Sequence, residues 1–336
     1  MTSSLLNIGS RALTAAQGSL ATISHNIANA NTVGYSRQEA VLQTSGGLST
    51  GAGFFGRGVD LVTVKRAYDQ FLTGSVQSSA AASAADNARA SGLQGLDSLF
   101  ADSANGIGAA LDDLFGAAGD LANRPNDPSV RQVFIGRAKQ LADRISTIGA
   151  QLHDMVRSAD SQIAQDATQI NGKLTQIAKL NQQIASAPPG QSPNDLLDQR
   201  DTALADLNKL ISTHSVTNGD GSLSLFTTSG EPMLVGSQQA RFDGAPDPGD
   251  SARTAVRMTI GSTTHWLDAP ALGGGSLAGT LRFRDEDLAS AINQVGRIAL
   301  TVSDAVNTQQ SLVIDMNGNA GAALFSVPQP VSIAGA

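Results

Sequence analysis

The chain has 336 residues, of which 15% are charged and 4% aromatic, with 35 glycines, no cysteine and a formal net charge of -7. The missing cysteines remove disulfides, thiolate nucleophiles and Cys-based metal sites together. Scattered Lys and Arg with few rings exclude a nucleic-acid groove, and no run of about 18 apolar residues reads as a membrane span. The length allows two or three domains. A core with so few rings must be built from Leu, Ile, Val and Ala, which suits closely packed helices.

From Leu5 to Ala30 apolar residues recur at heptad spacing. Leu13, Leu20 and Ile27 form one row, and Ala16, Ile23 and Ala30 another. Together they predict a helix with one narrow apolar seam and almost uncharged other faces. With Gly9 and Gly18 inside it, such a helix is marginal alone in water, so the seam needs a partner. With no obvious local partner, residues before about Asn31 are expected to be detached in the monomer. The Asn- and Gly-rich run from Asn29 to Gly34 predicts a sharp change of direction. An extended segment from Tyr35 to Gln43, a Gly/Ser/Thr stretch and alternation from Val59 to Val64 predict a long-looped hairpin over 35–66. A helix is expected to begin across Lys65–Leu72.

Helical patterning dominates 67–215. One stripe carries Leu111, Leu114, Phe115, Ala118 and Leu121, stopped at Arg124-Pro125. A helix from about Asp127 carries Val130, Phe134, Leu141, Ile148, Leu152, Ile163, Ile170, Ile177 and Ile184 at spacings of threes, fours and sevens. Unbroken to Ala185, it would be roughly 85 Å long at about 1.5 Å per residue. Asn181 falls on that seam, either as a buried register pin or pointing to water near the helix end. Pro188-Pro189-Gly190 turns the chain. Ser192 reads as the N-cap of the next helix, with Pro193 in its first turn. Strand and turn signals over 216–279 predict a small sheet. Helix returns over 280–312, and 313–336 reads as the start of another domain. The fold class is mainly α with a β insertion. Its one-sided stripes bury each other most simply as a long-helix antiparallel bundle near 20° crossing.

Four segments carry a family resemblance. Ser24-His25-Asn26-Ile27-Ala28-Asn29-Ala30-Asn31-Thr32-Val33-Gly34-Tyr35-Ser36-Arg37-Gln38 resembles the N-terminal signature of bacterial flagellar axial proteins, the rod, hook and hook-associated subunits. Asn194-Asp195-Leu196-Leu197-Asp198-Gln199-Arg200-Asp201 and Gly274-Gly275-Ser276-Leu277 are similar to segments of hook-associated members. The order Gly58-Val59 to Arg66-Ala67-Tyr68-Asp69 fits too. Two departures stand out: Gln309-Gln310-Ser311-Leu312 replaces the family's usual His and Gly, and the chain stops at Ala336, so it reads as the N-terminal part of a longer subunit. The family's C-terminal helix would pair with the N-terminal one.

The resemblance implies a flagellin-like core, with 1–34 in the inner tube and 35–66 as a spoke. It implies a non-enzymatic structural subunit at the hook–filament junction, outside the cell, exported through the flagellar type III apparatus without a cleaved signal peptide. The implied partners are copies of itself, the hook protein, the next hook-associated protein and an export chaperone, with no cofactor. The candidate assembly interface is Leu13, Ala16, Leu20, Ile23, Asn26, Ile27, Asn29, Asn31, Gly34, Tyr35 and Arg37. The alternatives are another axial subunit, hook or distal rod, an export-chaperone or adhesin module, and a cell-wall hydrolase using Asp195, Asp198 and Asp201 as paired carboxylates. Capping and exposed salt bridges explain those aspartates more simply. Gly51-Ala52-Gly53-Phe54-Phe55-Gly56 matches G-x-G-x-x-G but precedes a strand, so it reads as a hairpin loop. Asp315, Asn317 and Asn319 read as a turn, since no glutamate closes a calcium loop. The four histidines, His25, His153, His214 and His265, lack ligand spacing.

Overall fold

In the computed structural model the described residues are 2–327, apart from 52, 102–105, 189–190, 251–252 and 315–317. Helix α1 spans Thr2–Ala28. The chain turns at Gly34, whose φ of 83° is open to glycine without a Cβ penalty. It enters an antiparallel hairpin of β1 (Gln38–Thr44) and β4 (Val59–Arg66), tipped by β2 (Leu48–Thr50) and β3 (Gly53–Phe55). The long-looped hairpin is therefore present. The predicted start of the next helix is corrected: Lys65 and Arg66 pair in β4, and α2 runs Gln70–Phe100 with Asp69 accepting from the Phe71 and Leu72 amides.

Helix α3 (Ile107–Asn123) packs against α4, an unbroken helix of 58 residues over Pro128–Ala185. Asp127 caps α4 and Pro128 sits in its first turn, where a missing N–H costs nothing. The expected long helix, from about Asp127 and unbroken to Ala185, is present. In α3, however, the inward residues are Ala110, Leu114 and Ala117, while Phe115 is exposed. Helix α5 (Asn194–Leu210) returns antiparallel to α4, since Lys173 pairs with Asp206 while Asn181 meets Arg200 further along. Ser192 is not its cap: Pro193 holds that place with no side-chain cap bond. Pro189 and Gly190 of the expected Pro188-Pro189-Gly190 turn lie outside the described residues.

The β insertion forms two antiparallel sheets rather than one. The first orders β5 (Thr213–Thr217), β6 (Leu223–Thr227), β7 (Pro232–Val235) and β8 (Gln238–Gln239) consecutively. The second places β10 (Thr254–Ile260) between β9 (Arg241–Pro246) and β11 (Thr263–Leu267). Helix resumes at α6 (Ala269–Leu272) and α7 (Gly275–Arg282). A π-helical segment over Phe283–Leu288 leads into α8 (Ala289–Ser311). Both sheets share one core with the bundle. Ile163, Ile170, Leu174 and Ile177 of α4 meet Leu204 and Leu207 of α5, Leu225, Met233, Phe242 and Met258 of the sheets, and Leu277 of α7. Nearer the start of α4, Ile148 and Leu152 pack on Phe283, Leu288 and Val295. At its start Ala138 and Leu141 meet Ala110 and Leu114 of α3. Leu324 and Phe325 fold back on that end, their amides donating to Asn307 Oδ1 at 2.8 and 3.0 Å.

Candidate assembly surface

The seam of α1 faces solvent. Leu13, Leu20, Ile23 and Ile27 are 61%, 64%, 53% and 73% exposed, and Ala16 is exposed beside them. Helix α1 is nevertheless not without a local partner, which corrects that expectation. Its holding face, Ile8, Arg11, Ala15, Gly18, Thr22 and Asn26, lies about 130° round the helix from the seam, at 3.6 residues per turn. The face is made of small side chains because a strand lies close over it. Gly18 leaves room only for Leu61, and Gly58 of the hairpin sits against Ile8. Ala15 and Thr22 are buried there. Arg11 closes the far end, donating to Asp60 at 2.9 Å and Ser45 at 2.8 Å. The helix is thus held on polar and small residues, and its apolar row is left outward.

The elbow between helix and hairpin is polar and closed on itself. Asn26 behaves as a missing strand partner for Gln38. Its Oδ1 accepts from the Gln38 amide at 2.8 Å, and its Nδ2 donates to the Gln38 carbonyl at 2.8 Å. Tyr35 also donates to Asn26 Oδ1, at 2.7 Å, and its hydroxyl lies 3.0 Å from His25 Nδ1. Burial, followed by the charges of Asp198 and Asp195, raises the Tyr35 pKa and keeps the phenol a donor. Asn29 donates to the His25 carbonyl at 3.0 Å, and Thr32 to Asn29 Oδ1 at 3.3 Å. Of the candidate residues, Asn26, Asn29 and Tyr35 are therefore tied into the elbow. Asn31 and Arg37 are exposed with no side-chain bond among the described residues. Gly34 faces Thr202 of α5 so closely that a Cβ would collide with its hydroxyl.

A buried clamp joins this arm to the bundle. Arg66 of β4 donates through Nη1 to Asp198 and Asp201 of α5, both at 2.7 Å. The Arg66 side chain is 7% exposed and stacks 4.9 Å over the Tyr68 ring. Burial alone would lower the Arg66 pKa, but the two aspartates outweigh it and hold it above the ordinary value. Asp198 also accepts from the Ser36 amide at 3.1 Å, and Asn194 donates to the Val64 carbonyl at 2.9 Å. The expectation of exposed salt bridges is thus corrected. Asp198 is buried, and both carboxylates serve one guanidinium along one helix face, not two sides of a cleft. Sequence reasoning missed Arg66, whose partners lie 132 and 135 positions away. Its only signal was the family-like run around it.

Asn181 resolves towards the buried alternative. It is 4% exposed, donates to the Leu223 carbonyl at 2.8 Å and accepts its amide at 3.0 Å. Arg200 reaches Asn181 and the Gly221 carbonyl, and burial lowers its pKa. No group of three or more His, Cys, Asp or Glu able to hold a metal occurs among the described residues. Asp315 and Asn317 of the turn lie outside them. No described helix is long and apolar enough to cross a membrane.

Residues 93–325 match the family described as flagellar hook-associated protein FlgK helical domain. The chain belongs to the flagellar hook-associated protein family. Residues 6–35, the seam and elbow, match the flagella basal body rod protein family. The chain is 34% identical to flagellar hook-associated protein 1 of Salmonella typhimurium, over 98% of its own length and 60% of the relative's. It is 32% identical to that of Escherichia coli K12, over 98% and 61%. It therefore spans about 60% of the length of these curated relatives. A solved structure, the flagellar hook junction protein FlgK from Burkholderia pseudomallei, is similar with a TM-score of 0.69 and 31% identity. That likeness covers 75% of this chain and 46% of the other.

Proposed function

We propose that the chain is a structural, non-enzymatic subunit of the bacterial flagellum at the hook–filament junction, building a tube with copies of itself through the outward seam of α1. One observation carries this reading. A helix fastened along its small-residue face presents Leu13, Leu20, Ile23 and Ile27 to solvent on an arm clamped to a long bundle. Such a row is poorly satisfied in a monomer and well satisfied by neighbours. Asn31 and Arg37, exposed beyond the end of α1, belong to the same interface in this reading. By the same reading, the hook protein and the next hook-associated protein flank it along the axis. An export chaperone covers the seam before assembly, and the protein leaves the cell without a cleaved signal peptide. Leu20→Asp tests the assignment. Its thermal unfolding should match the parent because the side chain is exposed, while incorporation into flagella by the full-length subunit should be lost, since a carboxylate cannot be buried unpaired. A lowered melting temperature, or normal incorporation, would sink the assignment.

A further inference from the structure

The pair Asn-Gly occurs four times in the chain. Asn105 and Asn317, of two of these pairs, lie outside the described residues. The other two pairs are held in opposite ways. An asparagine before glycine is open to attack on its side-chain carbonyl by the next amide nitrogen, because glycine puts no Cβ in the way. The attack needs that amide and that carboxamide to be free. At Asn171-Gly172 neither is. The Gly172 amide lies inside the ladder of α4. Asn171 Nδ2 donates to the Phe242 carbonyl at 2.7 Å, and its Oδ1 accepts from the Phe242 amide at 2.8 Å. Asn218-Gly219 stands instead in the turn between β5 and β6. Gly219 is exposed with open space around it, and its amide has no hydrogen-bond partner among the described residues. The Asn218 carboxamide is held by serine hydroxyls alone, Nδ2 donating to Ser222 at 2.9 Å and Ser224 at 3.1 Å, with Ser224 Oγ also 3.4 Å from Oδ1. Asp220-Gly221, in the same turn, is closed again. The Gly221 amide donates to the Asn218 carbonyl at 3.0 Å. The Ser222 hydroxyl at 2.6 Å and amide at 2.9 Å hold the Asp220 carboxyl below its ordinary pKa, as an anion that a nucleophile does not attack.

We propose that Asn218 is a covalent modification site of the folded protein, where ring closure by the Gly219 amide converts it to aspartate and isoaspartate and loosens the β insertion from α5. The Gly219 nitrogen loses its proton and bonds to Asn218 Cγ. The Cγ–Nδ2 bond breaks, and Nδ2 takes up a proton and leaves as ammonia. Water then opens the five-membered imide. Cleavage at the former side-chain carbonyl gives aspartate, and cleavage at the main-chain carbonyl gives isoaspartate. Water is the only co-reactant. Both products place a negative charge beside Asp220 and delete the donor to Ser222 and Ser224. Isoaspartate also inserts a methylene into the main chain of the turn. That turn is closed by the Asn218 amide on the Ser222 carbonyl at 2.8 Å, and its Gly221 carbonyl accepts from Arg200 Nη1 at 2.6 Å. A lengthened turn no longer sets Gly221 against Arg200. The inference is independent of the assembly reading.

The test is to age the purified chain in mildly alkaline buffer, digest it at acid pH, where ring closure stops, and read each site by mass spectrometry with electron-transfer fragmentation. Asn218 should be converted first, and faster as pH rises, because the attacking nitrogen must lose its proton. Asn171 should stay an amide and Asp220 should stay unisomerised. In denaturant Asn171 and Asn218 should react alike, which assigns the difference to the fold rather than to the dipeptide. Gly219→Ala, with open space for the methyl and no positive φ to strain it, should slow Asn218 to the level of Asn171. An Asn218 that survives ageing, reacts no faster than Asn171 in the folded chain, or is indifferent to Gly219→Ala overturns the site. The isoaspartate form, separated from fresh protein by charge, should melt lower than both the fresh chain and Asn218→Asp, which carries the charge without the methylene. Its amide hydrogen exchange should quicken in β5 and β6 and not in α3. An isoaspartate form that melts and exchanges like the fresh chain overturns the loosening.

Discussion

At the scale of single residues, the molecule is held by a few buried polar groups whose partners are far off in sequence. Arg66→Ala would leave Asp198 buried without its cation. Breaking a buried pair in this way costs about 3–5 kcal/mol, and denaturant titration should show the loss. Arg66→Lys should recover only part of it, because one ammonium cannot reproduce the guanidinium's stacking on Tyr68. Asn181→Ala should also destabilise, by about 1–3 kcal/mol for each Leu223 backbone group left unpaired. Gln182→Ala, one residue along and exposed, should not. A weaker effect concerns Asp206, whose pKa is depressed first by its hydrogen bond to Lys173 and then by Lys209. A depressed carboxylate stabilises the fold above its unfolded pKa, and that contribution disappears as pH falls through the folded value. The pair is about a third exposed, so about 0.5 kcal/mol is at stake. Asp206→Asn should therefore lower stability slightly at neutral pH and not below the ordinary carboxylate range, as acid titration of the melting temperature would reveal. The identity of Asn181 as a seam residue was legible from spacing alone. Its burial was not, since Leu223 and Arg200 come to it from other elements.

Elements divide by how locally their signals were written. Helix α4 was readable from Asp127 to Ala185 because cap, first-turn proline and apolar spacing all lie within it. Ile170 is fully buried, so Ile170→Ala should cost about 2–5 kcal/mol. Gln169→Ala, on the exposed flank, should cost little, and equal losses would contradict the packing. The start of α2 was misplaced because Lys65 and Arg66 fit a helix as well as a strand, and only β1, across the hairpin, decides for the strand. The packing of α2 on α7 was not legible at all. Gly279 lies so close to the Ala85 backbone that a Cβ would collide with its carbonyl. Gly279→Ala should therefore push two helices apart and cost about 1–3 kcal/mol as overpacking does. Gly172→Ala, at an exposed position of α4 with open space around it, should stabilise by up to about 1 kcal/mol. Two glycines with opposite signs in one thermal-shift experiment would test the packing directly.

Over the whole molecule, three bodies meet on α5. Its Asp198 and Asp201 hold the arm, its Leu204 and Leu207 belong to the common core, and its Arg200 reaches the Gly221 carbonyl of the β insertion. The sequence indicated each body, as bundle, hairpin and sheet, but not this meeting point, because the run from Asn194 to Asp201 carries no periodic sign of what it touches. Gly34→Ala should shift the arm rather than unfold the bundle: its Cβ meets only the Thr202 side chain, and alanine at a φ of 83° costs about 1–2 kcal/mol. Spin labels at introduced cysteines in α1 and α4 should record a changed distance with only a small fall in melting temperature. The arrangement also fixes how the subunit carries mechanical load. Tension applied along α1 passes through the elbow and hairpin, then by way of Arg66, Ser36 and Asn194 into the 17-residue α5 and by the chain itself into α2. Such a subunit yields first at its joint, turning as a lever before its body deforms.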